Sequence, residues 1–172
     1  MAESWENQPR VPAGNPEGGQ WTGAVNAARK AAGLDNDNGI KKFLGDVAKM
    51  AGEKSIEHYI LEHGKGYKPV EHDYEKGYSK ECFMNAFRFV QSNPDYTYVE
   101  VYATPDFIDL PMLHAWVTDK QGKAFELTWE KSGSAYFGVE IPYKKLLEIA
   151  VETEVYGVFG TLGQYWREVL ED

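Results

Sequence analysis

The most constraining feature of the sequence is a strand–turn–strand pattern in residues 114–129. Its two halves are rich in aromatic and β-branched residues, which is typical of strands, and three residues ending in Gly122 separate them. Glycine in the third loop position favours a tight hairpin, because it adopts the left-handed backbone conformation without strain. That hairpin places Trp116 opposite Glu126. His114 is then a diagonal neighbour of Glu126 on the same face, within side-chain reach.

Helices precede this hairpin, and one further strand accompanies it. Apolar residues recur at helical spacing from Ile40 onward, and a second amphipathic helix begins near Ser79. Residues 96–102 predict a strand, whereas residues 64–78, with three glycines and a proline, predict a loop. Pro142 is suited to the first position of a later helix. The pattern predicts an α+β fold with mostly antiparallel strands.

The chain divides into an N-terminal tail and one folded domain. Residues 1–22 are rich in Pro, Gly, Asn, Gln and Glu without apolar periodicity, which predicts an extended tail. Residues 23–172 predict a single α+β domain, because their length suits one hydrophobic core. Within it, residues 23–63 form a helical part and residues 79–172 a core that contains the strands.

Composition and charge exclude several classes of protein. No apolar stretch approaches the roughly 18 residues of a membrane span, and no signal peptide is visible at the start. The net charge of −9 resides in residues 70–172, which argues against nucleic-acid binding but leaves open an acidic nucleic-acid mimic. The spacing of His58, His63 and His72 matches no zinc motif, so neither a metal nor another cofactor is predicted.

Cys82, the single cysteine, is the candidate nucleophile. If Ser79 caps the helix, Cys82 lies in the first turn, where unpaired backbone N–H groups favour an anion. An imidazolium nearby would stabilise the thiolate further. His114 can act as the base and Glu126 can orient it, which completes a catalytic triad. The alternative is that Cys82 packs in the core as a small apolar residue.

These residues occur in an order that is known from one family of enzymes. Cys82, the His-Ala-Trp-Val run from His114, and Glu126-Leu-Thr-Trp resemble the transglutaminase-like branch of the papain-like cysteine enzymes, over residues 79–140. The resemblance implies a papain-like core in which the cysteine-bearing helix packs on a small antiparallel sheet. It also implies that Cys82 is the nucleophile, His114 the base and Glu126 the orienting acid. The family typically has aspartate, followed by Pro-Thr, where this chain has Glu126.

Three aromatic residues are candidates for supporting roles at this site. No glutamine shortly precedes Cys82, unlike in relatives of papain, so Tyr78 is the candidate second donor to an oxyanion, beside the backbone N–H of Cys82. Trp116 and Trp129 are candidates for the cleft wall or the core.

A second resemblance concerns the tail. Residues 10–22 resemble a Pro-Ala-Gly…Gly-Gly-Gln-Trp segment that recurs in bacteriophage and prophage proteins. This implies a phage or prophage origin, with the protein in the bacterial host cytoplasm or in the virion. Trp5 and Trp21 indicate that the tail contacts the domain or a partner, such as a virion or host protein.

The sequence therefore supports three hypotheses. The first is a cysteine-dependent hydrolase or acyl-transfer enzyme that acts on an amide bond of a protein or peptide through a thioester on Cys82. The second is a catalytically inactive papain-like binding module for a virion or host protein. The third is the acidic nucleic-acid mimic.

Overall fold

The computed structural model describes residues 37–159 and 166–170. The predicted tail, with Trp5 and Trp21, lies outside these residues. The described chain has a mixed α+β architecture of helices around a five-stranded closed sheet. The helices are α1 (Asp37–Ala51), α2 (Ile56–His63), α3 (Cys82–Ser92), α4 (Tyr143–Thr153) and α5 (Trp166–Leu170). The strands are β1 (Lys65–Pro69), β2 (Thr97–Thr104), β3 (Met112–Thr118), β4 (Lys123–Phe125) and β5 (Ala135–Ile141).

The sheet closes through two strands that the sequence did not predict. The strand order is β1-β4-β3-β2-β5, and β5 pairs back with β1. All pairs are antiparallel except β1 with β4. The prediction of a loop over residues 64–78 was wrong for β1, because pairing with two distant strands outweighs the poor strand propensity of a segment that contains Gly66 and Pro69. β5 contains Gly138, which weakens the local strand signal.

The predicted hairpin register is confirmed. Val117 lies opposite Phe125 and Thr118 opposite Ala124, which is the register of a three-residue loop. Gly122 adopts a φ of 75°, the left-handed conformation for which glycine was predicted. The second strand is shorter than predicted, because the chain leaves the sheet after Phe125. Residues 126–129 instead form a turn around the carboxylate of Glu126.

Two apolar clusters hold these elements together. The larger one packs all five helices against the sheet, and Ile40 and Leu44 of α1 are fully buried in it. The smaller one takes residues from all five strands and therefore fills the inside of the closed sheet: Tyr67, Val99, Ala103, Trp116, Ala124 and Tyr136. Close packing requires Gly138, since a Cβ there would lie 2.7 Å from Cη2 of Trp116. None of the helices in the described part of the chain is long and apolar enough to cross a membrane.

Candidate active site

Helix α3 begins at the candidate nucleophile. The residue before the helix is Glu81, not the predicted Ser79, because Lys80 has a φ of 66° and the turn that it forms delays the start of the helix. The Glu81 side chain makes no capping hydrogen bond, and the first amide bonded within the helix is that of Asn85. The amides at the start of α3, including that of Cys82, therefore have no partner within the helix. Cys82 is 8% exposed and lines a cleft.

His114 and Glu126 form a buried pair. His114 Nε2 lies 2.8 Å from Glu126 Oε2, and the two side chains are 2% and 0% exposed. This contact confirms the prediction that the two side chains meet across the hairpin. Since Nε2 is engaged by the carboxylate, Nδ1 is the ring nitrogen left for Cys82. The Cys82 side chain lies near enough to the His114 ring to raise the pKa of the imidazole.

The Glu126 carboxylate is fully supplied with hydrogen-bond donors. Its Oε1 accepts from the backbone N–H groups of Thr128 at 2.7 Å and Trp129 at 2.8 Å. Its Oε2 accepts from the Tyr136 hydroxyl at 2.8 Å as well as from His114. A buried carboxylate is tolerated when its oxygens are paired in this way. The site is therefore built to hold a carboxylate in one orientation.

The electrostatics of the pair favour its charged state. Burial alone would lower the pKa of His114, but the carboxylate of Glu126 and the hydrogen bonds to Cys82 and Glu126 raise that pKa to about 9. Burial alone would raise the pKa of Glu126, but the charge and hydrogen bond of His114 and the two backbone amides lower it. Near neutral pH the pair is therefore an imidazolium and a carboxylate.

The three aromatic candidates lie in different places. Trp129 stacks on the His114 ring, with centroids 3.8 Å apart and planes 10° apart, and it lines the cleft. Trp116 does not line the cleft: it is a core residue inside the closed sheet, because it shares the inner face of β3 with His114 but lies further along the strand. Tyr78 is exposed and also does not line the cleft. Its backbone N–H already donates to Asn85 Oδ1, and its exposed side chain is not among the residues that line the cleft with Cys82.

Asn85 is a site residue that the sequence analysis missed. Its Oδ1 accepts from the Tyr78 N–H at 3.0 Å, and its Nδ2 donates to the Tyr78 carbonyl at 2.8 Å and to Thr128 Oγ1 at 2.9 Å. It therefore joins helix α3, the loop before the helix and the turn around Glu126. Gly77 is required beside it, since a Cβ there would lie 2.2 Å from the Asn85 oxygen. Asn85 lies outside the apolar stripe of the predicted helix, so the helical pattern gave no signal for it.

His72 and Lys76 hold the backbone of the acid residue. His72 Nε2 donates to the Glu126 carbonyl at 2.8 Å, and Lys76 Nζ donates to it at 2.6 Å. His72 Nδ1 accepts from the Tyr74 N–H, which requires the neutral ring with its proton on Nε2. Burial lowers the pKa of His72 and of Lys76. Both interactions are with a backbone atom, so no spacing in the sequence indicates them.

The cleft in front of the pair has a volume of about 700 Å³. Cys82 and His114 lie side by side in it, and the remaining lining residues are Ser79, Lys80, Phe83, Asp106, Phe107, Met112, Leu113, Thr128, Trp129, Glu130 and Lys131. Within the described parts of the chain, no group of three or more His, Cys, Asp or Glu side chains is arranged to hold a metal ion. A thiol, an imidazole and a carboxylate in series can form and resolve an acyl intermediate without one.

Fold and site together define an α+β protein in which a buried Cys–His–Glu series opens onto a cleft. Comparisons of the chain with protein-family models, with curated proteins and with solved structures find no match. The function is therefore argued from the site.

Proposed function

We propose that this protein is a cysteine-dependent hydrolase or acyl-transfer enzyme that acts on an amide bond through a thioester on Cys82. The observation that carries the proposal is that one imidazole, His114, contacts both the Cys82 thiol and a saturated, buried carboxylate, Glu126, beside an open cleft. If Cys82 were only a small apolar residue of the core, it would need neither the imidazole of His114 nor the carboxylate of Glu126 nearby. A buried ion pair that served stability alone would not need to lie beside a thiol and a cleft.

The proposed reaction has two steps. In the reactive state His114 is an imidazolium whose Nδ1 holds the proton of Cys82, and the thiolate Sγ attacks the amide carbon. The oxygen of the tetrahedral intermediate accepts a hydrogen bond from the backbone N–H of Cys82. The C–N bond then breaks, the amine leaves with the proton from His114, and a thioester remains. Water or a second amine attacks the thioester and gives its proton to His114, and the C–S bond then breaks, which restores the thiolate beside the imidazolium.

Glu126 acts on the imidazole in each step. Its contact with Nε2 directs Nδ1 toward sulfur, and its negative charge stabilises the imidazolium that faces the thiolate. Trp129, stacked on the ring, restricts rotation of the ring out of this plane. The base is thus held from its edge by a carboxylate and from one face by an indole.

The proposal also includes the fold family and the origin of the protein. A cysteine at the start of a helix that packs on β3, with His114 on β3 itself, supports a papain-like, transglutaminase-like core. The phage or prophage origin, with the protein in the host cytoplasm or the virion, is supported by the resemblance of residues 10–22.

A second candidate function is a binding module on the same fold that lacks catalytic activity. Exposed apolar residues at the cleft rim favour it, notably Phe107 and Leu113, because a partner protein would cover them as well as a substrate would. The reactivity of Cys82 distinguishes the enzyme from the binding module.

The test is the rate at which iodoacetamide alkylates Cys82 near pH 6, measured by intact-mass spectrometry. We expect the wild type to react at least tenfold faster than a free thiol at that pH, because the His114 imidazolium stabilises the thiolate. His114→Ala and Glu126→Gln should abolish this excess, whereas His58→Ala, at an exposed helix position, should preserve it. A slow rate that is equal in the wild type and the His114 variant would refute the catalytic proposal and favour the binding module.

A further inference from the structure

We infer that the cleft selects substrates with a bulky apolar side chain within one residue of the amide that Cys82 attacks. This inference rests on the proposed function, which leaves the substrate class open. It follows from the composition, exposure and charge of the walls around Cys82 and His114.

The walls next to the reactive pair are apolar and come from separate parts of the chain. Phe83 follows the nucleophile on α3, and Met112 and Leu113 precede the base on β3. Phe107 and Trp129 face each other edge to face, with ring centroids 6.4 Å apart. A substrate that reaches Cys82 must therefore pass along apolar side chains.

These apolar side chains are unusually exposed. Phe107 is 44% exposed, Met112 41% and Leu113 38%. Ile108 and Leu110 are also exposed, so the seven-residue segment 107–113 carries five of the eleven large exposed apolar residues of the described chain. Scattered exposed apolar residues are normal, but a concentration beside a reactive site marks a surface that a ligand covers.

The charged residues that line the cleft do not favour a substrate with a charged side chain. Lys80 and Lys131 are balanced by Asp106 and Glu130 among the lining residues. Lys131 Nζ lies 3.9 Å from Asp106 Oδ2, so one charge of each sign already faces the other. A carboxylate or an ammonium group in the cleft would lose hydration beside apolar walls and would meet lining charges of both signs. The inference therefore favours apolar peptide substrates over acidic ones, such as carboxylate-rich cell-wall peptides.

The test uses two series of peptide chloromethyl ketones, acetyl-Xaa-Gly and acetyl-Gly-Xaa, which alkylate Cys82 and report recognition without requiring turnover. Xaa is Leu, Phe, Ala, Asp or Lys, and the second-order rate of inactivation is measured by mass spectrometry. In at least one series we expect Leu or Phe to react about tenfold faster than Ala, and Asp and Lys no faster than Ala, since a pocket for a few carbon atoms discriminates by about this factor.

Two substitutions in the cleft wall and one matched control test which residues produce the preference for Leu over Ala. Phe107→Ala and Met112→Ala should each reduce the ratio of the Leu rate to the Ala rate by about threefold. Leu147→Ala removes a similarly exposed apolar residue on α4, away from the cleft lining, and should leave that ratio unchanged.

Iodoacetamide, which has no side chain, separates the two proposals. Reaction with iodoacetamide that depends on His114, together with equal rates for all Xaa, would overturn this inference and leave the proposed function intact. A preference for Asp or Lys, or a Leu preference unchanged in both wall variants, would also overturn it. Slow iodoacetamide reaction that is insensitive to His114 would overturn the proposed function, and this inference with it.

Discussion

The buried pair of His114 and Glu126 predicts how the stability of the protein changes with pH. The pKa of His114 is raised from about 6.5 to about 9 in the folded state. A raised pKa means that the folded state binds the proton more tightly than the unfolded chain does. The resulting stability is fully present below about pH 6.5 and is lost as the pH rises through about 9. At 1.36 kcal/mol for each pKa unit, the loss is on the order of 3 kcal/mol.

On the acid side Glu126 has the opposite effect. Its pKa is lowered in the folded state, so its contribution is present above the ordinary glutamate value of about 4.5 and is lost as the pH falls through the lowered value. The ion pair should therefore contribute most to stability between about pH 4.5 and 6.5.

The assay is urea unfolding of the wild type and of His114→Gln near pH 6 and near pH 9.5, followed by tryptophan fluorescence. The variant keeps an N–H group that can donate to Glu126 but cannot titrate, so groups that titrate elsewhere cancel in the comparison. The wild type should lose about 3 kcal/mol more than the variant over this range. Glu126→Gln, which removes the charge opposite the imidazole, should abolish most of this difference. Parallel losses in the wild type and His114→Gln would refute the assignment of a charged pair at neutral pH.

Two further predictions concern packing and positioning. Gly138→Ala should destabilise the protein by about 1–3 kcal/mol in urea unfolding, because its Cβ would meet a backbone oxygen at 2.6 Å, whereas Gly45→Ala, an open helical position, should stabilise it by up to about 1 kcal/mol. Equal effects of the two substitutions would contradict this account of the packing. Asn85→Ala should reduce alkylation of Cys82 near pH 6 by about tenfold as well as lowering stability, and Asn85→Asp, which keeps one of three hydrogen bonds, should show a smaller reduction. An unchanged alkylation rate in a folded Asn85→Ala variant would limit this residue to a role in stability.

The contact of His114 with Glu126 could be predicted because it depends on local geometry. One glycine in a three-residue loop determined the register, and the register determined which side chains share a face. The place of Cys82 beside this pair depends on the packing of α3 on β3, which no local pattern specifies. That contact was expected from the order of the residues and from the family resemblance.

The missed features depend on interactions between distant parts of the chain. Strand β1 has a sequence typical of a loop and becomes a strand only because β4 and β5 both pair with it. Asn85, His72 and Lys76 act largely on backbone atoms, and backbone atoms carry no sequence signal. Asn85 also lies outside the apolar stripe of its helix, so the helical pattern does not indicate that it is buried.

Glu126 stands where the enzymes that the sequence resembles have aspartate, so a longer side chain must orient the imidazole. A glutamate has one more rotatable bond than an aspartate, and holding it in one rotamer costs more conformational entropy. Here both ends of the residue are held: four donors engage the carboxylate, and His72 and Lys76 engage the backbone carbonyl. The chain also leaves the sheet just before Glu126, so the extra methylene spans a turn rather than a strand. The substitution therefore changes the route by which the carboxylate reaches His114 and leaves its 2.8 Å contact with Nε2 intact.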